Sequence, residues 1–246
     1  MNEAVFISDL HLDPMAPDIT ERFDRFIEWA LQNTQAVYIL GDLFHVWPGD
    51  DALDSWSQAQ AFKLARLAEG GIKVYFLAGN RDFLLGDRFA RLASFTRLKE
   101  PTVITLGEKR ILLVHGDRYC TLDKGHQWLR RLTRNALFPK LFLKLPYAIR
   151  LKIVKEARKR SKGSKKLALP FMDVVPRDLL WHMVKCDVTL LVHGHTHLPG
   201  LTEHPFQGTC YQQYVLSDWD DNPLLMCYDQ PSGFYFTRLS ENYHAS

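Results

Sequence analysis

The chain has 246 residues, 46% hydrophobic and 24% charged, long enough to bury a sizeable core without disulfide or metal staples. No apolar run approaches the roughly 20 residues of a membrane span, and the opening MNEAVFISDLHL lacks a basic region followed by a long apolar segment and a cleavage site. The expectation is a globular protein that stays in the cytoplasm. The net charge of +3 conceals a division, because fifteen of the 31 Lys and Arg fall between Lys124 and Lys166 against one acidic residue, Glu156. The remainder holds 16 basic and 27 acidic residues, so an acidic body carries a basic insert. Cys120, Cys186, Cys210 and Cys227 form no CxxC pair. That argues against a structural zinc site or thioredoxin-like chemistry, and the four are read as buried packing residues of a reducing compartment.

In chain order, AVFIS, AVYIL, KVYFLA and RILLVH read as buried strands. DITERFDRFIEWALQN and DSWSQAQAFKLARLAEGG read as helices, the second closed by Gly70 and Gly71. Strand and helix in alternation mean a layered α/β fold. In the insert, Phe138, Leu141, Phe142 and Leu145 recur at helical spacing and form an apolar stripe edged by Lys and Arg, which Pro139 and Pro146 break into short helices. Such a surface suits an acyl chain beside anionic headgroups, although a stripe packed on the body with a solvated charged face is an equal reading. A helix opened by Pro176 comes next, then the strand DVTLLV and strands near CYQQYVLS, LLMCYD and GFYFTRL. This turn-rich tail predicts antiparallel strands in a second sheet packed on the first.

The residues just after each strand carry the chemistry. VFIS runs into Asp9 and His11, VYIL into Gly41 and Asp42, VYFLA into Gly79, Asn80, Arg81 and Asp82, ILLV into His115, Gly116 and Asp117, and TLLV into VHGHTHLPG with His193, His195 and His197. Ligands of open α/β folds gather at the carboxyl ends of strands. Singly, each residue is as well explained as a cap, a turn or a loop histidine; together, five strand ends deliver polar groups to one rim. An extended backbone over 193–197 would put the three histidines on one face, with Gly194 permitting a bend. Mixed oxygen and nitrogen donors without thiolate fit divalent Mn, Fe or Zn, a carboxylate can bridge two ions, and the donors are too many for one ion.

The segments DLH (9–11), GD (41–42), GNRD (79–82), HGD (115–117) and GHTH (194–197) resemble, in order and spacing, the calcineurin-like metallophosphoesterases. The resemblance implies an αββα sandwich of two packed mixed sheets, with residues 1–122 and 167–246 as the core and 123–166 as a helical lid insertion. It also implies two divalent ions, manganese expected: Asp9, His11 and His197 on one, Asn80, His115 and His195 on the other, and Asp42 bridging. His193 stands outside that set. A two-ion site clamps a phosphoryl group and activates water for in-line attack, with Asp42, Asn80 and Arg81 as the catalytic group. Many relatives carry histidine where this chain has Arg81. Arginine cannot give up a proton but can hold phosphate oxygens, which favours a leaving group that needs little protonation, such as a phosphate with a second pKa of about 6.

YILGDLFHVWPGDD, GNRDFLLGDRFAR, HGDRYCTLDKGHQWLR and HGHTHLP are similar to the branch of that family acting on UDP-2,3-diacylglucosamine in lipid A biosynthesis. Its reaction is attack of water on the α-phosphorus, giving UMP and 2,3-diacylglucosamine 1-phosphate. The likeness implies substrate contacts from Asn80, Arg81, Asp123, Ser161 and His195, with Lys162, Lys165 and Lys166 added for phosphate or sugar. It further implies a monomer, peripheral on the cytoplasmic face of a Gram-negative inner membrane, with no nucleic-acid partner. His45 stands where relatives often carry glutamate. Competing readings are a nucleotide polyphosphate hydrolase, which shares the bond and the arginine, and a metal-dependent nuclease. The nuclease is disfavoured because the insert has no stacking platform, Trp128 and Tyr147 being isolated. A binding scaffold with a degenerate metal centre ranks lower still, since all seven ligand positions are filled.

Overall fold

Side chains of β1 (Ala4–Ile7) alternate between two apolar layers, and that alternation organises the molecule. In this computed structural model, which describes residues 1–135, 137–164 and 173–239 (158–164 by backbone alone), Val5 and Ile7 face one core while Ala4 and Phe6 face another. The first core lies under α1 (Pro17–Asn33), α2 (Ser55–Glu69) and α3 (Asp87–Leu92), with Phe23, Phe26, Leu64 and Phe89 all fully buried. The second lies between two sheets. One has the order β11-β10-β1-β2-β3-β4, from β2 (Ala36–Ile39), β3 (Lys73–Leu77), β4 (Thr96–Leu98), β10 (Leu224–Asp229) and β11 (Gly233–Arg238) with β1. The other has the order β5-β6-β7-β9-β8, from β5 (Thr102–Leu106), β6 (Lys109–Leu113), β7 (Leu190–His193), β8 (Gly200–Phe206) and β9 (Thr209–Val215).

On β6, Ile111 and Leu113 join the inter-sheet core while Leu112 turns to a third core beneath α7 (Pro176–Lys185), with Leu179 and Met183. Burial on both faces, worth about 1.5–3 kcal/mol per large apolar side chain, explains why these strands are continuous apolar runs. The result is the expected four-layer order of helix, sheet, sheet, helix.

Strand partners differ from the sequence reading. RILLVH, grouped there with the first strands, is β6 of the second sheet, parallel to β7. LLMCYD and GFYFTRL return to the first sheet, where β10 pairs antiparallel with the edge of β1 left open by β2. The tail is therefore divided between the sheets, and β7 and β9 are parallel. Alternation fixes which faces are apolar, not which edge a strand finds. Two of the cysteines are not buried packing residues, since Cys186 is half-buried and Cys210 exposed; Cys210 stands on the outermost strand pair, with β8 as the edge.

The basic segment forms α4 (Lys124–Thr133), α5 (Phe138–Phe142) and α6 (Tyr147–Ser164). Pro139 sits in the first turn of α5 and Pro146 just before α6, where a missing amide costs nothing. The stripe divides rather than standing as one face: Phe142 is buried and stacks on Phe138, while Leu141 is exposed. Arg150 is fully buried and ties α6 to the loop after β2, donating to Pro48 O and to Asp51 Oδ2.

Candidate metal centre

The carboxyl ends of β1, β2 and β3 in one sheet meet those of β6 and β7 in the other. Parallel neighbours point the same way, so the loops that succeed them leave on one rim. These loops are tightly interlocked. A β-carbon on Gly79 would overlap Asp42 Oδ1, and one on Gly194 would overlap Asp9 Oδ2 and Ser8 Oγ. The glycines of the GN and GH segments are thus required by close backbone approach. Five of the eight non-glycine residues with positive φ among the described residues are Asp9, Asp42, His11, His195 and His197, at 54 to 70°. Such backbone costs roughly 1–3 kcal/mol per residue and persists where function holds it. For the histidines this corrects the extended-strand picture: β7 ends at His193, and the left-handed conformations of His195 and His197, not strand alternation, turn their side chains to the site.

Asp9, His11 and His197 offer ligand atoms within 4.8 Å of one another, as do Asp9, Asp42 and His115. Asp42 spans the two groups, with Oδ2 3.4 Å from His11 Nε2 and Oδ1 3.6 Å from His115 Nε2. Asp9 also borders both. Asn80 Oδ1 is 2.8 Å from His115 Nε2, and the ring of His195 lies 5.1 Å from that of His115, its backbone amide donating to Asp9 Oδ2. All seven predicted donors are therefore brought together. Both ring nitrogens of His193 are engaged, Nδ1 with Gly194 O at 2.7 Å and Nε2 with Gln213 at 2.8 Å. It is a strut of the histidine turn.

The electrostatics demand positive charge. Burial alone would raise Asp9, but the His197 hydrogen bond and the charges of His115, His197 and His11 outweigh it and hold the carboxyl below the usual range. Burial would likewise raise Asp42, and His115 and His11 overcome it. Burial works against the charge of His115, yet Asp42, Asp9 and Asp117 draw it up to about 9. For His197, burial is overcome by hydrogen bonds to Asp218 and Asp9, which draw it up to about 10. Burial and the charge of His115 push His195 down to about 3, so it is neutral and ready to ligate. A divalent cation would take over the role of the protons on His115 and His197. The donor set fits such an ion: His115 Nδ1 is committed to Leu40 O at 2.9 Å and His197 Nδ1 to Asp218 at 3.1 Å, which leaves both Nε2 atoms facing the carboxylates.

Of the predicted substrate contacts, Asn80 and Arg81 are at the site, Arg81 Nε lying 3.0 Å from Asp42 Oδ2 and Nη1 donating to His45 Nδ1 at 3.1 Å. Asp123 accepts the His126 amide as the N-cap of α4. Ser161 and Lys162 belong to the part of α6 described by backbone alone, and Lys165 and Lys166 lie outside the described residues. Three groups were missed. Asp218 orients His197; Asp82 accepts Leu43 N and Gly79 N, both at 2.7 Å, and so joins two ligand loops; His126 lies ring to ring with His195 at 5.5 Å. Asp82 and His126 fall in segments that carry the family likeness, GNRD and HGDRYCTLDKGHQWLR; Asp218 falls in none.

Residues 4–199 match the calcineurin-like phosphoesterases, and the chain belongs to that family. Within it, the chain is 42% identical over 219 residues, 88% of its length and 90% of the relative's, to the UDP-2,3-diacylglucosamine hydrolase of Pseudomonas aeruginosa strain UCBPP-PA14. It is 38% identical over 235 residues, 95% of its length and 96% of the relative's, to the protein of the same name from Coxiella burnetii strain RSA 331.

Proposed function

We propose that the protein hydrolyses UDP-2,3-diacylglucosamine at the α-phosphorus, releasing UMP and 2,3-diacylglucosamine 1-phosphate for lipid A biosynthesis. The observation that carries this reading is the cluster of Asp9, His11, Asp42, His115 and His197, with Asn80 and His195 against His115, in a chain about 40% identical to hydrolases of that name over most of its length. Asp9, His11 and His197 would hold one divalent ion and Asn80, His115 and His195 a second, with Asp42 available to both. Manganese bound there would supply Lewis acidity and activate water for attack at phosphorus. Arg81 binds phosphate oxygens through its planar fork, while Asn80 and His195 flank the phosphoryl group. The bond from the α-phosphorus to the bridging oxygen breaks, and the departing sugar phosphate carries its charge without a protein acid, which suits an arginine in that position.

The helices of 123–166 act as a lid that accepts the acyl chains. Supporting this, α6 and the loops after β1 and β2 enclose a groove of about 650 Å³ lined by Met15, Phe44, Trp47, Trp56, Tyr147 and Leu151, and its His45 touches Arg81. Trp128, Leu137, Leu141, Ile149 and Ile153 are exposed among the insert's cations, a surface for peripheral binding to an anionic membrane face. Among the described residues no helix is long and apolar enough to cross a membrane. The test offers Mn-loaded protein UDP-2,3-diacylglucosamine, UDP-glucose derivatives without acyl chains, diadenosine polyphosphate and single-stranded DNA. The acylated substrate should be preferred; preference for any of the others overturns the lipid reading.

A further inference from the structure

Two cations of the basic insert are largely withdrawn from solvent, their side chains 17% and 22% exposed. Arg130, in the last turn of α4, and Arg134, its C-cap residue, are four positions apart and so lie on one side of the helix end. Arg130 Nη2 donates to Glu100 Oε2 at 3.0 Å, and its Nε lies 3.2 Å from Asp117 Oδ1. Arg134 Nη2 donates to the carbonyls of Ala78 and Gly79 at 2.9 and 3.0 Å and lies 3.6 Å from Glu100 Oε2. Glu100 Oε1 in turn accepts the backbone amide of His115 at 3.1 Å.

These partners are unlike those of a solvated charge. Asp117 is fully buried two residues after His115, and its charge is met by Arg130, with His126 Nε2 3.7 Å away. Burying carboxylates of this kind is tolerated only against well-placed cations. Neither arginine is placed among the donor atoms themselves. They hold the backbone that carries them: the two carbonyls immediately before Asn80 and, through Glu100, the amide of His115. The other group, Asp9, His11 and His197, has no such tie to α4 among the described residues; its orienting partner is Asp218.

We propose that Arg130 and Arg134 are positioning residues for the half-site of Asn80 and His115, so that the end of α4 braces the loops that carry those donors. This rests on the two-ion reading of the site. Manganese binding to the full chain, tracked by the spin-resonance signal of free ion, tests it with wild type, Arg134→Met, Arg130→Met, His115→Ala, His197→Ala and, as a control, the exposed Arg131→Met.

Arg134→Met and Arg130→Met should each weaken, by roughly 10–100-fold, the ion that His115→Ala releases. The ion that His197→Ala releases should stay within about twofold of wild type, Arg131→Met should change neither, and Arg134→Lys, which keeps the charge but not the fork, should fall between. A folded Arg134→Met variant that holds both ions at wild-type affinity, or weakens both equally, overturns the proposal. Should Arg134→Met not fold, unchanged binding by Arg134→Lys overturns it as well. If the wild type takes up a single ion, the two-ion reading fails separately, and the arginines are then judged by whether Arg134→Met weakens the ion that His115→Ala releases.

Discussion

Replacing Asp42 by asparagine keeps shape and volume but removes the charge at the centre of the site. Asp42 Oδ1 accepts the Arg81 amide at 2.9 Å, a bond that the asparagine oxygen preserves, so the GNRD loop should stay in place. The cost falls on the two groups that the carboxylate spans, at 3.4 Å to His11 and 3.6 Å to His115. Losing a partner even outside the coordination sphere costs roughly 10–100-fold in metal affinity or activity. Taking the upper figure on both sides gives about 10⁴-fold, or roughly 5.5 kcal/mol at 1.36 kcal/mol per decade. Steady-state kcat/KM with UDP-2,3-diacylglucosamine under saturating manganese, read beside the metal content of the variant, measures this. A folded Asp42→Asn protein within about tenfold of wild type refutes the shared-carboxylate account.

His193→Ala should cost about 1–3 kcal/mol of stability, by leaving Gln213 Nε2 without its partner in the interior, while His195→Ala loses the activity; comparable activity losses would mean that the strut and the ligand have been confused. Asp218→Ala should lower metal affinity roughly 10–100-fold by releasing His197 Nδ1, measurable by manganese titration. In metal-free protein, His115 and His197 are raised to about 9 and 10. Their contribution to stability is complete below the unfolded imidazole value of about 6.5 and is lost as pH rises through 9 and 10. The thermal midpoint after chelation should therefore fall between about pH 7 and 10, with a smaller fall when manganese is bound; a flat profile contradicts this. Leu137→Glu and Leu141→Glu, at positions 65% and 62% exposed, should each weaken binding to anionic vesicles by about tenfold or more, and unchanged binding removes that face from the membrane surface.

Four of the five strand ends were legible because their ligands sit in short segments with a glycine that meets close neighbours, as at Gly79 against Asp42 and Gly194 against Asp9; DLH was legible by its place after β1. Strand alternation made the layers legible too. Sheet membership was not, since β10 could satisfy its two apolar faces beside either sheet and found the free edge of β1. Asp218 was invisible for a similar reason: it is an ordinary loop aspartate until the fold sets it against His197, 21 positions away. Arg130 and Arg134 were counted only among the cations of the basic insert, because composition does not say which way a side chain points. The histidine turn was misread in shape but not in destination, its left-handed residues being ones that propensity disfavours.

The central claim is hydrolysis of one bond by water delivered to one phosphorus, and isotope placement tests it directly. Mn-loaded protein should be given UDP-2,3-diacylglucosamine in water enriched in oxygen-18 and both products weighed by mass spectrometry. The account predicts a single heavy oxygen in UMP and none in 2,3-diacylglucosamine 1-phosphate. Label in the sugar phosphate, or intact substrate under conditions where the protein is folded and metal-loaded, would contradict it.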